Sequence, residues 1–201
     1  TKNLGALGDG GAIVTNNKRI AKICKEIRDY GQQKKYVHTR FGLNSRLDEL
    51  QAAFLTSKLK DLDKENSKRK ILAKRYIKNL SKISEMEMVK TENLENSNCH
   101  LFVIKVKQRN QLQKFLEKNG IQTSVHYPKI IPNQPFLKNE YKENLLPSAR
   151  SFVKMCLSLP CNLQMSLSNV DYISEKIKEF FKNDRSTIKY FKERLPDSKF
   201  N

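Results

Sequence analysis

The sequence predicts a mixed α/β protein, because strand-like and helix-like stretches alternate in its second half. Residues 100–106, His-Leu-Phe-Val-Ile-Lys-Val, form an apolar run of strand length. Apolar residues at helical spacing follow over residues 112–116, and Asn119-Gly120 supplies a helix end. Residues 121–125, Ile-Gln-Thr-Ser-Val, then complete a strand–helix–strand unit, which is typical of a small α/β domain.

The first forty residues predict one strand, one helix and one loop. Ile13 and Val14 predict a short buried strand. Apolar side chains recur with helical spacing over residues 17–30, which predicts an amphipathic helix that Gly31 ends. Residues 31–43 are polar with a basic-aromatic patch, so we expect a loop there.

A long helical stretch is predicted next. Ser45 with Asp48 resembles a capping box in which Asp replaces the usual Glu or Gln, and Arg46 then falls in the first helical turn. Residues 43–119 contain neither Gly nor Pro, so we expect a helix that extends past residue 75.

The remaining segments predict loops, two more helices and a tail. Residues 90–98 are polar and predict a loop, and prolines punctuate a second loop over residues 126–135. Apolar periodicity predicts one helix over residues 149–156, stopped by Leu159-Pro160, and a last core helix over residues 170–181. From residue 182 the chain is basic and weakly periodic, which predicts a loose or locally helical tail.

The composition narrows the functional class only slightly. The chain has 201 residues, 30% of them charged, and a formal net charge of +18, which by itself suggests an anionic partner. However, the lysines are scattered along helices rather than gathered in one run, and no RNA- or DNA-binding signature is present. A basic nucleic-acid-binding protein is therefore the least favoured class.

The cysteines and the hydropathy indicate a cytoplasmic protein with no metal site. The four cysteines show no Cys-x-x-Cys or Cys/His ligand spacing, so we expect reduced, mostly structural thiols: Cys24, Cys99, Cys156 and Cys161. The sequence has no secretory segment and no apolar run of membrane-spanning length, so we expect no membrane partner.

The opening stretch, residues 2–12, has the chemistry of a possible cofactor site. Lys2 precedes four glycines within seven residues, and Gly permits both positive φ and close approach of a ligand. A P-loop would need its lysine after the glycines, and a dinucleotide fingerprint would need Gly-x-Gly-x-x-Gly, so both are excluded. On these residues alone, an ordinary glycine turn beside a solvated lysine is the simpler interpretation.

Four segments together resemble the DegT/DnrJ/StrS family of nucleotide-sugar aminotransferases, pyridoxal 5′-phosphate (PLP) enzymes of fold type I. Their order and rough spacing match the family, and the resemblance covers residues 1 to about 181. The combination of the first two is most similar to the branch that acts on dTDP-3-keto-6-deoxyhexoses. The segments are residues 2–12, 42–53, 125–128 and 157–160.

The resemblance implies an activity and a catalytic lysine. Lys2 stands at the Schiff-base lysine position, and family members with His there are dehydratases, so Lys2 implies transamination. The amino group would pass from an amino acid, typically glutamate, through PLP to a keto-sugar nucleotide, in amino-sugar biosynthesis for cell-surface polysaccharide. The family also implies a homodimer whose active sites are shared between subunits.

The resemblance further implies binding residues, each of which has a simpler alternative. Asn44 matches the position that reaches across the dimer to the PLP phosphate, although an Asn before Ser45 also suits helix capping. Lys35 and Tyr36 match a loop that approaches the sugar nucleotide, where the alternative is a solvated loop. His126 and Tyr127 match a loop at the mouth of the active site, where a lone His is more often incidental.

The family divides the chain into three parts. Residues 1–75 correspond to the end of the large PLP domain, residues 76–181 to the C-terminal small α/β domain, and residues 182–201 to a basic tail. In fold type I enzymes most of the PLP site precedes the lysine, so we expect the printed polypeptide alone not to bind PLP productively. An inactive remnant or a dimerisation partner with the same fold is the alternative.

Overall fold

The computed structural model describes residues 2–89, 94–137 and 146–194, with side chains described as far as residue 183. The chain divides into two compact units, Thr1–Lys64 and Glu65–Asn201. The domain boundary that the family resemblance places at residue 75 stays a prediction. Parts of the predicted polar loop (90–93) and of the predicted tail (195–201) lie outside the described residues.

The first unit consists of two helices and a small hairpin. The Asn17 side-chain oxygen caps the first helix by accepting hydrogen bonds from the backbone N–H groups of Arg19 (2.9 Å) and Ile20 (3.2 Å). The two strands of the hairpin are antiparallel. The elements are α1 (Lys18–Ile27), β1 (Gln32–Lys34), β2 (Val37–His38) and α2 (Glu49–Leu59).

Three predictions for this unit are wrong. Ile13 and Val14 form no strand and are 74% and 96% exposed, because no neighbouring strand pairs with them among the residues that the structure describes. The predicted loop over 31–43 contains the β1–β2 hairpin. The capping box also fails, since α2 begins at Glu49 with Asp48 as an N-cap that makes no side-chain capping bond.

The predicted long helix is broken into α2 and α3 (Leu62–Leu80). At the end of α2 the backbone N–H groups of Lys60 and Asp61 bond to the carbonyls of Ser57 and Lys58, over 3.3 and 3.1 Å. These i to i−3 bonds tighten the last turn into 3₁₀ geometry and end the helix without Gly or Pro. The prediction that the helical stretch extends past residue 75 is correct, because α3 continues to Leu80.

The second unit builds its core around a three-stranded antiparallel sheet. The strands are β3 (Met86–Met88), β4 (Phe102–Val106) and β5 (Cys156–Leu159), with β4 in the centre. The helices are α3, α4 (Arg109–Lys118), α5 (Pro147–Met155) and α6 (Leu167–Arg194). The buried core includes Leu72, Tyr76, Leu80, Ile104, Val106, Leu112, Leu116, Leu157, Val170 and Ile177.

Tyr76 joins α3 to the three-stranded sheet through an aromatic contact and a hydrogen bond. The Tyr76 ring on α3 stacks on Phe102 of β4, with ring centroids 4.7 Å apart. The Tyr76 hydroxyl donates to the carbonyl of Pro160 over 2.9 Å. Burial raises the pKa of Tyr76, so its hydroxyl stays a donor.

The strand predictions for this unit are partly wrong. Residues 121–125 form only one bridge, between Ser124 and Ser158, instead of a strand. Cys156 was predicted at the end of a helix but begins β5, whose four residues are all buried. An apolar run that is buried on both faces has no alternation to separate it from a continuing helix. β3 was not predicted.

Three of the four cysteines and the C-terminal helix belong to the second unit, and Cys24 lies in α1 of the first. All four cysteines are free thiols, as predicted. α6 continues to Arg194, so the described beginning of the predicted tail is helical. Within the described ranges, no helix is both long and apolar enough to cross a membrane, and no group of His, Cys, Asp and Glu has metal-binding proximity.

Candidate active site

The opening glycine stretch packs against the start of α2. Gly5 and Gly8 have positive φ angles of 62° and 124°, which only glycine adopts without strain. The Gln51 side-chain amide on α2 donates to the carbonyl of Asp9 over 3.3 Å. Lys2 is exposed, and its amine makes no hydrogen bond or ion pair within the described part of the chain. An exposed amine therefore lies at the start of a glycine stretch that contacts α2.

Asn44 is held by the C-terminal end of α1. Its backbone forms an antiparallel bridge with Asp29. The N–H of the preceding residue, Leu43, donates to the carbonyl of Ile27 over 2.7 Å. The alternative that Asn44 caps a helix is wrong, because α2 begins only at Glu49.

The segment that leads to Asn44 packs closely against the chain just after α1, and this packing requires two glycines. Gly31 has a φ of 73°, and a Cβ atom there would lie 1.7 Å from the carbonyl oxygen of Arg40. A Cβ atom at Gly42 would lie 1.9 Å from the backbone nitrogen of Gly31. Neither position can hold a side chain without moving backbone, so these glycines set where Asn44 lies relative to α1. Arg40 adds an ion pair to the buried Glu26 over 2.7 Å.

Lys35 and Tyr36 form the tip of the β1–β2 hairpin. Tyr36 is 80% exposed and has a φ of 67°, a left-handed conformation that is uncommon for an aromatic residue. Gln32 holds it there, because its Oε1 accepts from the Tyr36 backbone N–H over 2.8 Å. The Lys35 ammonium lies 5.2 Å from the centroid of the Tyr36 ring. The tip thus presents a cation and an aromatic ring together.

His126 and Tyr127 belong to the second unit, beside β5. His126 Nδ1 and Ser158 Oγ are 2.8 Å apart, and Ser158 is buried. Two backbone bonds between Ser124 and Ser158, of 3.2 and 2.7 Å, bring the His126 segment to the strand. The Tyr127 ring meets the His126 ring edge to face at 5.3 Å and is 65% exposed. His126 is therefore held by a buried strand residue, and its contact with substrate stays a prediction.

The structure thus gathers the predicted site residues into two groups. The glycine stretch after Lys2, the hairpin tip and Asn44 lie in the first unit, and His126 and Tyr127 lie in the second. Sequence reasoning missed the residues that hold them, because hydrogen-bond partners distant in sequence leave no spacing signal. The missed residues are Asp29, Gln32 and Ser158, whereas Arg46, expected in the first turn of a helix, lies before α2.

Comparison with known proteins decides the family. Residues 1–178 match the DegT/DnrJ/EryC1/StrS aminotransferase family. The chain belongs to this family. The aminotransferases of this family are PLP-dependent.

Two curated relatives are similar to this chain over most of its length. The chain is 40% identical to a "pleiotropic regulatory protein" of Geobacillus stearothermophilus, over 91% of this chain and 50% of that protein. It is 36% identical to a dTDP-3-amino-3,4,6-trideoxy-alpha-D-glucose transaminase of Streptomyces venezuelae, over 89% of this chain and 48% of that protein. The chain therefore spans about half the length of the curated relatives that it matches.

A solved DegT-family structure confirms the predicted fold class. The X-ray structure of S. venezuelae DesV, in complex with a ketimine intermediate, superposes with a TM-score of 0.85 at 35% identity. The superposition covers 89% of this chain and 48% of DesV. The chain thus has the fold of one half of a PLP-dependent aminotransferase.

The residues present fit PLP as a partner. The exposed Lys2 amine has no competing partner among the described residues, which suits a lysine that reacts with an aldehyde. The Asn44 Oδ1 accepts from Arg46 Nε over 3.4 Å, which leaves the Asn44 Nδ2 group as a donor for a phosphate oxygen.

Proposed function

We propose that this chain carries the catalytic lysine of a transaminase that moves an amino group from an amino acid, such as glutamate, to a keto-sugar nucleotide. The observation that carries the proposal is the placement of Lys2 at the head of a glycine stretch that packs on α2. The unit that holds this stretch also holds Asn44 and the Lys35–Tyr36 tip. The proposed substrate class is a dTDP-3-keto-6-deoxyhexose, for amino-sugar biosynthesis in the cytoplasm.

The names of the relatives support the substrate class. One is a dTDP-3-amino-3,4,6-trideoxy-alpha-D-glucose transaminase, and another, 38% identical over 171 residues, is a dTDP-3-amino-3,6-dideoxy-alpha-D-galactopyranose transaminase. Both names join a dTDP group to an amino group at position 3 of the sugar. We infer the same nucleotide and the same ring position for this chain: its substrate would carry the keto group at position 3, and its product the amino group.

In this proposal Lys2 reacts with the cofactor and Asn44 binds its phosphate. When bound, PLP supplies an electron sink for carbanion chemistry at the donor carbon. Lys2 Nζ would take the proton from the donor carbon and would deliver a proton to the carbon that receives the amino group. Asn44 Nδ2 donates to the cofactor phosphate and so holds the ring in one position.

The remaining predicted residues would bind the sugar nucleotide. The Lys35 ammonium suits the diphosphate, and the exposed Tyr36 ring suits stacking on the base or sugar. His126, oriented by Ser158, suits a hydrogen bond to the sugar or the diphosphate, with Tyr127 beside it. The proposal includes a homodimer in which Asn44, Lys35 and Tyr36 reach the partner's active site.

The test uses the full-length protein that contains this chain. Purified with PLP, wild type should show the visible absorbance of bound cofactor and should aminate a dTDP-3-keto-6-deoxyhexose with glutamate as donor. Lys2→Ala should lose turnover by about 10³-fold or more, as expected for the loss of a proton-transfer group together with covalent catalysis. Lys18→Ala removes an exposed lysine on α1 and is the matched control, which should leave both properties unchanged.

Two results would overturn parts of the proposal. A folded full-length protein without bound PLP and without turnover would identify an inactive remnant or a dimerisation partner. Turnover with a UDP-keto sugar but not with the dTDP substrate would keep the transaminase and reject the proposed nucleotide.

A further inference from the structure

A continuous line of polar contacts joins Asn44 to the hairpin tip. It starts at the Asn44 side chain, passes through Arg46, Asp29 and Gln32, and ends at the backbone N–H of Tyr36. Every member belongs to the first unit. We call these three intervening residues the polar relay.

The half of the relay nearest the hairpin is tight. Gln32 Nε2 donates to Asp29 Oδ2 over 2.7 Å, and Gln32 Oε1 accepts from the Tyr36 N–H over 2.8 Å. Gln32 thus uses its donor on one partner and its acceptor on the other, which fixes the orientation of its amide. Gln32 and Asp29 are both half-buried, so the bond between them is partly sheltered from water, whereas the bond from Gln32 to Tyr36 is exposed.

The half of the relay nearest Asn44 is longer and more exposed. Arg46 contacts Asn44 Oδ1 through Nε over 3.4 Å and Asp29 Oδ1 through Nη1 over 3.5 Å. Its guanidinium also lies 5.4 Å from the Tyr30 ring centroid, and Nη2 lies 3.5 Å from the Tyr30 hydroxyl. The Arg46 side chain is 54% exposed, and exposed ion pairs contribute little to stability. We therefore expect the hydrogen bonds of Asp29 and Gln32 to contribute more to holding the hairpin tip than the contacts of Arg46 do.

We propose that Gln32 and Asp29 are positioning residues that fix the Lys35–Tyr36 tip for the sugar nucleotide, and that Arg46 ties the same relay to Asn44. The inference rests on the proposed function, because it assigns the tip to substrate and Asn44 to cofactor. Its physical basis is the left-handed Tyr36, since that backbone conformation needs an outside partner to be favoured. Gln32 supplies that partner.

The first test is kinetic and uses the full-length holoenzyme. Gln32→Met keeps the length of the side chain but removes both hydrogen bonds, and one lost hydrogen bond corresponds to about a three- to tenfold effect. The KM for the keto-sugar nucleotide should rise about three- to tenfold, while kcat and PLP affinity stay within about twofold of wild type. Gln33→Met, at the exposed next position of β1, is the matched control and should change neither constant.

Conservative variants separate positioning from simple loss of structure. Asp29→Asn retains an oxygen that can accept from Gln32, so its KM should stay close to wild type, whereas Asp29→Ala should match Gln32→Met. Arg46→Met should lower PLP affinity by only about twofold, because its contacts are long and exposed. An equal fall of kcat for Asp29→Asn and Asp29→Ala would overturn the relay.

The second test does not depend on activity. Amide hydrogen exchange at Tyr36 should be about three- to tenfold faster in Gln32→Met than in wild type or in Gln33→Met. Unchanged exchange would overturn the relay even if the enzyme transaminates. Faster exchange in a protein without transaminase activity would keep the relay and reject the proposed function.

Discussion

Arg75 of α3 binds Asp171 of α6 side-on: Arg75 Nε donates to Asp171 Oδ1 and Nη2 donates to Oδ2, both over 2.6 Å. Asn79 Nδ2 adds a third hydrogen bond, to Asp171 Oδ1, over 2.7 Å. The hydrogen bond from Arg75, followed by that from Asn79, lowers the pKa of Asp171 to about 2. Two helices of the second unit are therefore joined by a carboxylate that must stay ionised.

This pair predicts a specific loss of stability in acid. A folded-state pKa below that of the unfolded chain stabilises the protein above the unfolded value, and this contribution is lost as pH falls through about 4 to about 2. Between pH 5 and pH 2 the Tm of wild type should therefore fall further than that of Asp171→Asn. Thermal melts followed by circular dichroism measure both slopes. Glu117→Gln removes an exposed carboxylate of α4 and should keep the wild-type slope.

The close approach of Gly31 and Gly42 predicts that two glycine-to-alanine variants differ in stability. In Gly42→Ala the new methyl group meets backbone at 1.9 Å, so the segment must move, and we expect a loss of about 3 kcal/mol or more in the free energy of unfolding. Gly11→Ala meets nothing within 4 Å and should be neutral within about 0.5 kcal/mol. Urea denaturation compares the two, and equal midpoints would contradict the packing described.

The contact between His126 and Ser158 predicts an effect on substrate binding in the full-length enzyme. Ser158→Ala removes the hydroxyl that orients the imidazole, so the KM for the sugar nucleotide should rise about three- to tenfold. PLP binding should not change, because the residues proposed to hold PLP lie in the first unit. Ser151→Ala, an exposed serine of α5, is the control. A wild-type KM for Ser158→Ala would remove His126 from the proposed substrate site.

The burial of the thiols predicts the order in which they react. Burial raises the pKa of Cys161 to about 11 and also raises the pKa of Cys156, so both thiols are protonated at pH 8. Cys99 is buried, and Cys24 is only half-buried. Iodoacetamide at pH 8 should therefore label Cys24 first in the native protein, as mass spectrometry can show. All four should react at similar rates in urea, and early labelling of Cys161 would contradict the core.

Helices were predictable from sequence where one apolar face repeats over several turns. α1, α4 and α6 lie where periodicity places them, although α6 continues beyond the expected end. The strands were harder, because β3 has three residues and β5 is buried on both faces, so neither shows alternation. The break between α2 and α3 comes from backbone geometry and carries no Gly or Pro signal.

The candidate site was predictable only through the family resemblance. Lys2 and Asn44 have ordinary local patterns, and neither residue type by itself indicates a cofactor. The polar relay has a weaker signal still, since Asp29 and Arg46 are 17 positions apart and meet only because two glycines let the backbones approach. Side-chain contacts of this kind depend on the fold and not on sequence spacing.

Gly31 and Gly42 also make the hairpin a segment whose tip can be replaced. Gly31 and Gly42 bring the ends of residues 32–41 almost into contact, so that segment leaves and rejoins the unit at nearly one point. A hairpin with a different tip can be grafted between them with little strain on α1, provided that both glycines, Gln32 and Arg40 are kept. Libraries aimed at new sugar nucleotides should therefore diversify the tip of the hairpin and keep Gln32, Arg40 and both glycines.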